Sequence, residues 1–247
     1  MKISGIIFDI NGTLIDILTD EGAEEIYRAI SHFLTYRGVV THRWELRDDY
    51  FRILKRQLAE SPEEFPEFDA VSVWKAYLTE KLEKSSVPGK NWLNQTALFL
   101  AEMFRGISRR RLDLYPGVME TLQEIAPRYK TAALSDAQTA WALPELRAVG
   151  LDKFFDPIVI SGDFGFRKPD ARLFGVALSR LGLPPEEVLF VGNDIYHDVY
   201  GARLMGLKTI FFQSNQGRRQ MDGVEPDYII YNFPELLQAV SFFENSR

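Results

Sequence analysis

The chain has no cysteine, only three histidines, no excess of positive charge and no long apolar run. Without cysteine there are no disulfides and no thiolate chemistry, and a reducing compartment, the cytoplasm, is the expected location. The formal net charge of -6 at pH 7 argues against a sequence-independent nucleic-acid binder, which needs a basic surface to displace phosphate counterions. No apolar stretch approaches the roughly 18 residues that span a bilayer, so no membrane role is expected. The opening MKISGIIFDINGTLID has a short apolar run, but Asp9, Asn11 and Gly12 interrupt it, unlike a secretory signal. What is present in quantity is apolar residues, 46% of 247, enough for a buried core with one smaller module.

The sequence divides into three unlike stretches. ISGIIFD, at 3–9, reads as a short buried strand ending in a polar turn. From Ile17 to Asp113 the spacing predicts helices: EEIYRAISHFLTYRG, HRWELRDDYFRILKRQLAE, FDAVSVWKAYLTEKLEK and NWLNQTALFLAEMFRGI. Pro62, Pro66, and Pro88 with Gly89 punctuate that block. The run Arg109–Arg111 reads as a solvated face at its exit. After Tyr115-Pro116-Gly117, the strands KTAALS, PIVIS, VLFVG, KTIFF and DYIIY alternate with helical stretches. Such alternation implies a parallel sheet covered on both faces. The expected fold is therefore α/β, a doubly wound parallel sheet with an inserted all-helical module, the core at 1–16 and 114–247 and the insertion at 17–113.

Ligands of open parallel sheets bind beyond the carboxyl ends of the strands. Asp9 ends the first strand, Ser135 ends KTAALS, Ser161 to Asp163 follow PIVIS, and Asn193 with Asp194 follow VLFVG. Four strand ends thus bring acidic or hydroxylic residues to one edge. A carboxylate at a strand tip followed by Gly12 and Thr13 can act as a nucleophile, with loop N–H groups facing its target; the bland alternative is an aspartate that opens a turn. Asp163, five residues before Lys168, reads either as that lysine's partner or as a turn residue. Asp16 and Asp20 read as helix initiators. His32 and His42 lack metal-ligand spacing, and His197 has no assigned role. Trp44, Tyr50, Phe51, Trp74 and Tyr77 read as packing of the helical block.

FDINGTLID resembles the first motif of the haloacid dehalogenase superfamily, whose aspartate attacks phosphorus or carbon and becomes covalently substituted. Ser135-Asp136 in ALSD resembles the second motif, Lys168 in FRKPD the third, and VGNDIYHDVYGARLMG the fourth, in that order. The insertion after strand one resembles, in position and helical character, the cap of the dehalogenase and phosphoglycolate-phosphatase branch. The resemblance implies Asp9, Asn11, Ser135 and Lys168 as catalytic positions, with Gly12, Thr13 and Asp136 binding the substrate. It implies Mg2+ held among Asp9, Asn11, Asn193, Asp194 and Asp198. The activity implied is hydrolysis of a small phosphorylated metabolite through an aspartyl-phosphate.

Two positions depart from the family pattern. Phosphatases of the family carry a second aspartate two residues after the nucleophile as general acid and base, and this chain has Asn11. An amide can orient a leaving oxygen but cannot exchange a proton, which predicts slow breakdown of an aspartyl-phosphate. In the fourth motif, counting five residues back from Asp198 reaches Asn193, with Asp194 beside it; either the amide oxygen of Asn193 or the carboxylate of Asp194 would ligate magnesium. Asp198 would then orient waters. Two other readings follow from these departures: a 2-haloacid dehalogenase, which needs neither metal nor proton donor but lacks here the FDxYGT aromatic, and a weakened scaffold with a binding role. Neither the physiological substrate nor the oligomeric state is encoded in any motif.

Overall fold

In the computed structural model, which describes residues 1–82 and 89–245, six parallel strands form one sheet in the order β5-β4-β1-β6-β7-β8. These are β1 (Gly5–Phe8), β4 (Lys130–Ser135), β5 (Ile158–Ile160), β6 (Val188–Gly192), β7 (Lys208–Phe212) and β8 (Tyr228–Ile230). The central strands are apolar on both faces because helices cover both. Side chains alternate across a strand, and Ile6 and Phe8 enter one core with Val118, Leu122, Leu236 and Val240, whereas Ile7 enters the other with Leu173, Phe174 and Phe190. The first face is covered by α5 (Val118–Ile125) and α9 (Leu236–Asn245), the second by α7 (Ala171–Leu181). The chain runs from β1 to β4 and β5, then returns to β6 on the other side of β1. That reversal is the topological switch point, where loops diverge and leave a crevice.

Helices α1 (Glu24–Tyr36), α2 (Arg43–Ala59), α3 (Ala70–Lys81) and α4 (Lys90–Ser108) build a separate aromatic core. Tyr50 stacks on Phe104 at 4.7 Å between ring centroids and lies 4.9 Å from Trp74, and all three are buried. Tyr77 is buried and Phe51 partly so, whereas Trp44 is exposed, with Arg43 and Arg47 over its ring. The end of the third helical reading and its Pro88 breaker lie outside the described residues. Among the described residues no helix is long and apolar enough to cross a membrane.

One expectation fails at the junction. Ile15–Thr19 (β2) pairs antiparallel with Arg109–Leu114 (β3) as a two-stranded ribbon between the sheet and the helices. Strand structure therefore continues to Thr19 and resumes at Arg109, and the Arg109–Arg111 run is not simply a solvated face. Arg111 pairs with Asp16 at 2.7 Å, Arg110 with Glu25, and Arg109 with the buried Glu145. Asp16 is consequently a ribbon residue rather than a helix initiator, and Asp20 bonds the amide of Gly22 ahead of α1. The physical reason is that three arginines and an aspartate mask β3 as a strand, and each ribbon strand finds its partner only about ninety residues away.

Candidate active site

Register along the sheet sets the site. Phe8 lies level with Ala133 and Val191, so Asp9 is the first residue beyond β1. Ser135 and Asn193 emerge beside it from the neighbouring strands β4 and β6. Gly12 can sit in the following turn because its φ is 87°, and a Cβ there would meet the Asn193 amide at 2.4 Å. The loop after β5 brings Lys168 across from the far side.

Lys168 is the electrostatic centre. Its buried ammonium donates to Asp9 Oδ1 at 2.7 Å and to Asp198 Oδ1 at 2.6 Å. Burial alone would drive the proton off, but Asp198, Asp9 and Asp136 outweigh it and hold Lys168 charged, above its ordinary range. Burial also pushes the Asp198 carboxyl up to about 6, against the pull of Lys168. The other oxygen of Asp198 accepts the amides of Asn193 and Asp194. Thr13 donates from one hydroxyl toward both Asp9 Oδ2, 2.8 Å away, and Asn193 Oδ1, 3.0 Å away. Asp9 is thus gripped at both oxygens before any ligand arrives.

The remaining positions differ in what they offer. Ser135 Oγ is buried and, among the described residues, has no hydrogen-bond partner, a costly arrangement unless a ligand oxygen meets it. Asp194 folds back into its own turn: Oδ1 accepts the amides of Tyr196 and His197, and Oδ2 that of Arg218. Asp136 accepts the Lys168 backbone amide at 2.9 Å and has only long contacts, 3.4 Å, with Arg167. Asp163 bonds the Thr139 hydroxyl at 2.6 Å and is not the partner that fixes Lys168; Asp9 and Asp198 fill that place.

A cavity of about 220 Å3 opens over these groups. Its wall includes Asp9, Asn11, Asp136, Lys168, Asn193, Asp194 and Asp198, whereas Gly12, Thr13 and Ser135 are buried outside the lining. Four of the wall residues are carboxylates, against Lys168 and Arg167 as permanent cations. Sequence reasoning missed Arg167, His197, Gln216 and Gly217, which also line it. Arg167 was visible as the neighbour of Lys168, and Gln216 follows the end of β7, one more strand end at the same edge. His197 Nδ1 lies 2.8 Å from the Lys168 carbonyl. His42 has no place here; it caps α2.

The helical block also reaches this edge. Glu67, between α2 and α3, is buried against the sheet loops and accepts the Ser161 hydroxyl at 2.7 Å. Burial raises its carboxyl above the ordinary range, against that hydrogen bond.

A strand-end aspartate, a hydroxyl, a lysine and an acidic loop meet at one edge of the sheet, and the family model for haloacid dehalogenase-like hydrolases matches residues 3–206. The chain belongs to this family. It is 32% identical over 176 residues to a phosphoserine phosphatase of Thermus thermophilus, covering 70% of each chain. It is 31% identical over 128 residues to a glyceraldehyde 3-phosphate phosphatase of Pyrococcus furiosus, a match to 51% of this chain that spans about half, 53%, of that relative. A 2-haloacid dehalogenase from Pseudomonas syringae pv. Tomato DC3000 superposes with a TM-score of 0.69 over 98% of this chain and 99% of its own. At 21% identity, that likeness is one of fold. That dehalogenase thus shares the fold over 98% of this chain, the helices of the insertion included.

Proposed function

We propose that the chain is a phosphohydrolase in which Asp9 attacks a small phosphorylated metabolite. The observation that carries this reading is the arrangement around Asp9, with both carboxylate oxygens held by Lys168 and Thr13 beside the unpartnered hydroxyl of Ser135. An Asp9 oxygen forms a bond to phosphorus while the bond to the leaving oxygen breaks and that oxygen takes the electron pair. Ser135 Oγ and Lys168 Nζ donate to the equatorial oxygens as charge spreads over them. Water then attacks phosphorus, the bond between phosphorus and the Asp9 oxygen breaks to return the carboxylate, and the water's proton leaves to solvent with the phosphate. Asn11, on the cavity wall, can orient the leaving oxygen or the water but neither gives nor takes the proton. Breakdown of the aspartyl-phosphate is therefore slow. Helices α1 to α4 act as a cap over the site, and the volume of about 220 Å3 suits a small phosphorylated group.

The donors fit magnesium, which takes hard oxygens and keeps several waters. Asp9, the Asn11 backbone carbonyl, and Asn193 or Asp194 would hold it. Asn193 is favoured, because its Oδ1 shares the Thr13 hydroxyl with Asp9 whereas Asp194 already accepts three backbone amides. Asp198, bound to Lys168 and two amides, would orient waters. Among the described residues no three acidic or histidine side chains form a ready metal cluster, so the site would rest on amide and carbonyl oxygens with water. When bound, the ion offsets repulsion between the wall carboxylates and an incoming phosphate dianion.

Phosphatase-named relatives support phosphorus over carbon as the centre attacked. The test is phosphate release from acetyl phosphate with and without magnesium, together with the mass of the acid-quenched protein. Magnesium-dependent release is expected; release of halide from a 2-haloacid, with no phosphate released, would replace this reading by carbon attack.

A further inference from the structure

We infer that Glu67 is a positioning residue: a cap carboxylate that ties together the two core loops carrying Ser135 and Lys168. The segment Phe65–Glu67 forms a short antiparallel pairing with Gly165–Arg167. In it the Glu67 amide donates to Gly165 O at 3.0 Å and the Arg167 amide to Phe65 O at 2.9 Å. Lys168 is the next residue, so the backbone that delivers the central cation is laid against the cap rather than against the sheet.

The Glu67 side chain extends the link to the second loop. Its Oε2 accepts the Ser161 hydroxyl at 2.7 Å, and Ser161 Oγ in turn accepts the Ala137 amide at 3.0 Å. Ala137 lies two residues after Ser135, and between them Asp136 accepts the Lys168 amide. Gln138, next in the chain, bonds the Phe68 carbonyl at 2.6 Å and the Ala70 amide at 2.9 Å, at the start of α3. One buried carboxylate thus connects the strap of the cap, the loop after β4 and the loop after β5. None of these bonds reaches the cavity wall through Glu67 itself, which is not among the residues lining it, so its effect passes through Ser161 and the loops. Cap movement that separates Phe65–Glu67 from Gly165–Arg167 would loosen the seat of Lys168 and so couple closure to assembly of the site.

The inference rests on the phosphohydrolase reading for its kinetic readout only. Glu67→Ala should lower kcat by about 10- to 10²-fold, the scale of a small misplacement of reacting groups, and leave KM within about 3-fold. Glu67→Gln should restore it: the amide nitrogen donates to Ser161 Oγ, whose proton turns to the Ala137 carbonyl 3.2 Å away, and the amide oxygen accepts the Phe68 amide, as Glu67 Oε1 does at 3.1 Å. Ser161→Ala should reproduce the loss, and the double variant should be no slower than either single one, since both cut the same link. Hydrogen exchange of the Ala137 and Arg167 amides reads the same link without turnover, and should speed up in Glu67→Ala and return in Glu67→Gln. Unchanged exchange at both amides, or unchanged kcat in an active enzyme, overturns the inference. A wild type that exchanges as expected but releases no phosphate overturns the phosphohydrolase reading and leaves the link standing.

Discussion

Replacing Asn11 by aspartate should convert a slow hydrolase into a faster one. Asn11 stands on the wall of the cavity with Asp9, Asp136, Asp194 and Asp198, so a new carboxylate would enter a field already negative. Neighbouring negative charge favours the protonated form, which is what a general acid needs near neutral pH. General acid–base help is typically worth about 10²- to 10⁴-fold, or ~2.7 to 5.5 kcal/mol of barrier. An aryl phosphate expels a leaving group that needs little protonation. In the wild type its first step should run ahead of aspartyl-phosphate breakdown and give a burst of phenol stoichiometric with enzyme. In Asn11→Asp the burst should vanish and steady-state turnover rise by about 10²-fold or more. An alkyl phosphate should gain at least as much, because both half-reactions then need the proton. Stopped-flow phenol release and steady-state phosphate release measure the two quantities. If turnover and burst were unchanged, another group must already serve as acid and base, and the account of this position would be refuted.

Ser135→Ala should separate stability from function. The hydroxyl is buried without a partner, a state that costs about 1–3 kcal/mol, so the melting temperature should stay level or rise while kcat falls by about 10²-fold or more; a loss of stability would mean that the hydroxyl has a partner in solution. Lys168→Met leaves Asp9 and Asp198 buried without their cation and should cost about 3–5 kcal/mol in urea unfolding without divalent ions, whereas a cost below ~1 kcal/mol would show that the carboxylates relax to water. Glu67 gives a pH signature: its folded carboxyl is raised above the ordinary 4.5, so the folded state holds the proton where the unfolded chain has lost it. That contribution is complete below the unfolded value and lost as pH rises through the folded one. The melting temperature of wild type relative to Glu67→Gln should therefore fall as pH increases from about 4.5, and a difference independent of pH would contradict the assignment.

The sheet was legible because each of its strands is a mostly apolar run bounded by turn residues; KTAALS, VLFVG and KTIFF coincide with β4, β6 and β7. The helices of the insertion announce themselves by apolar spacing and by punctuation at Pro62 and Pro66. Asp9, Ser135 and Asn193 could be collected from strand ends, since a parallel sheet places those ends along one edge, whereas Lys168 and Asp198 were reached through the resemblance to the family's motifs. What the sequence hid depends on contacts remote in the chain. The β2–β3 ribbon joins segments about ninety residues apart, and the charges of RRRLDL conceal β3 as a strand. Asp163 stands at a spacing that allows a bond to Lys168, yet its loop turns it toward Thr139. Glu67 looks like any surface acid in SPEEFPEF, and only the pairing of Phe65–Glu67 with Gly165–Arg167 buries it. Asp194, an acid in an acidic motif, is held by backbone amides whose directions no sequence pattern displays.

The most direct test of the central claim, that Asp9 is a nucleophile toward phosphorus, is the intact mass of the protein quenched in acid within milliseconds of mixing with acetyl phosphate and magnesium. The account predicts an added phosphoryl group that maps to Asp9, persists because Asn11 cannot drive its hydrolysis, and is absent from Asp9→Asn. Phosphate release at the same rate from Asp9→Asn, or a phosphoryl group mapping to another residue, would contradict it.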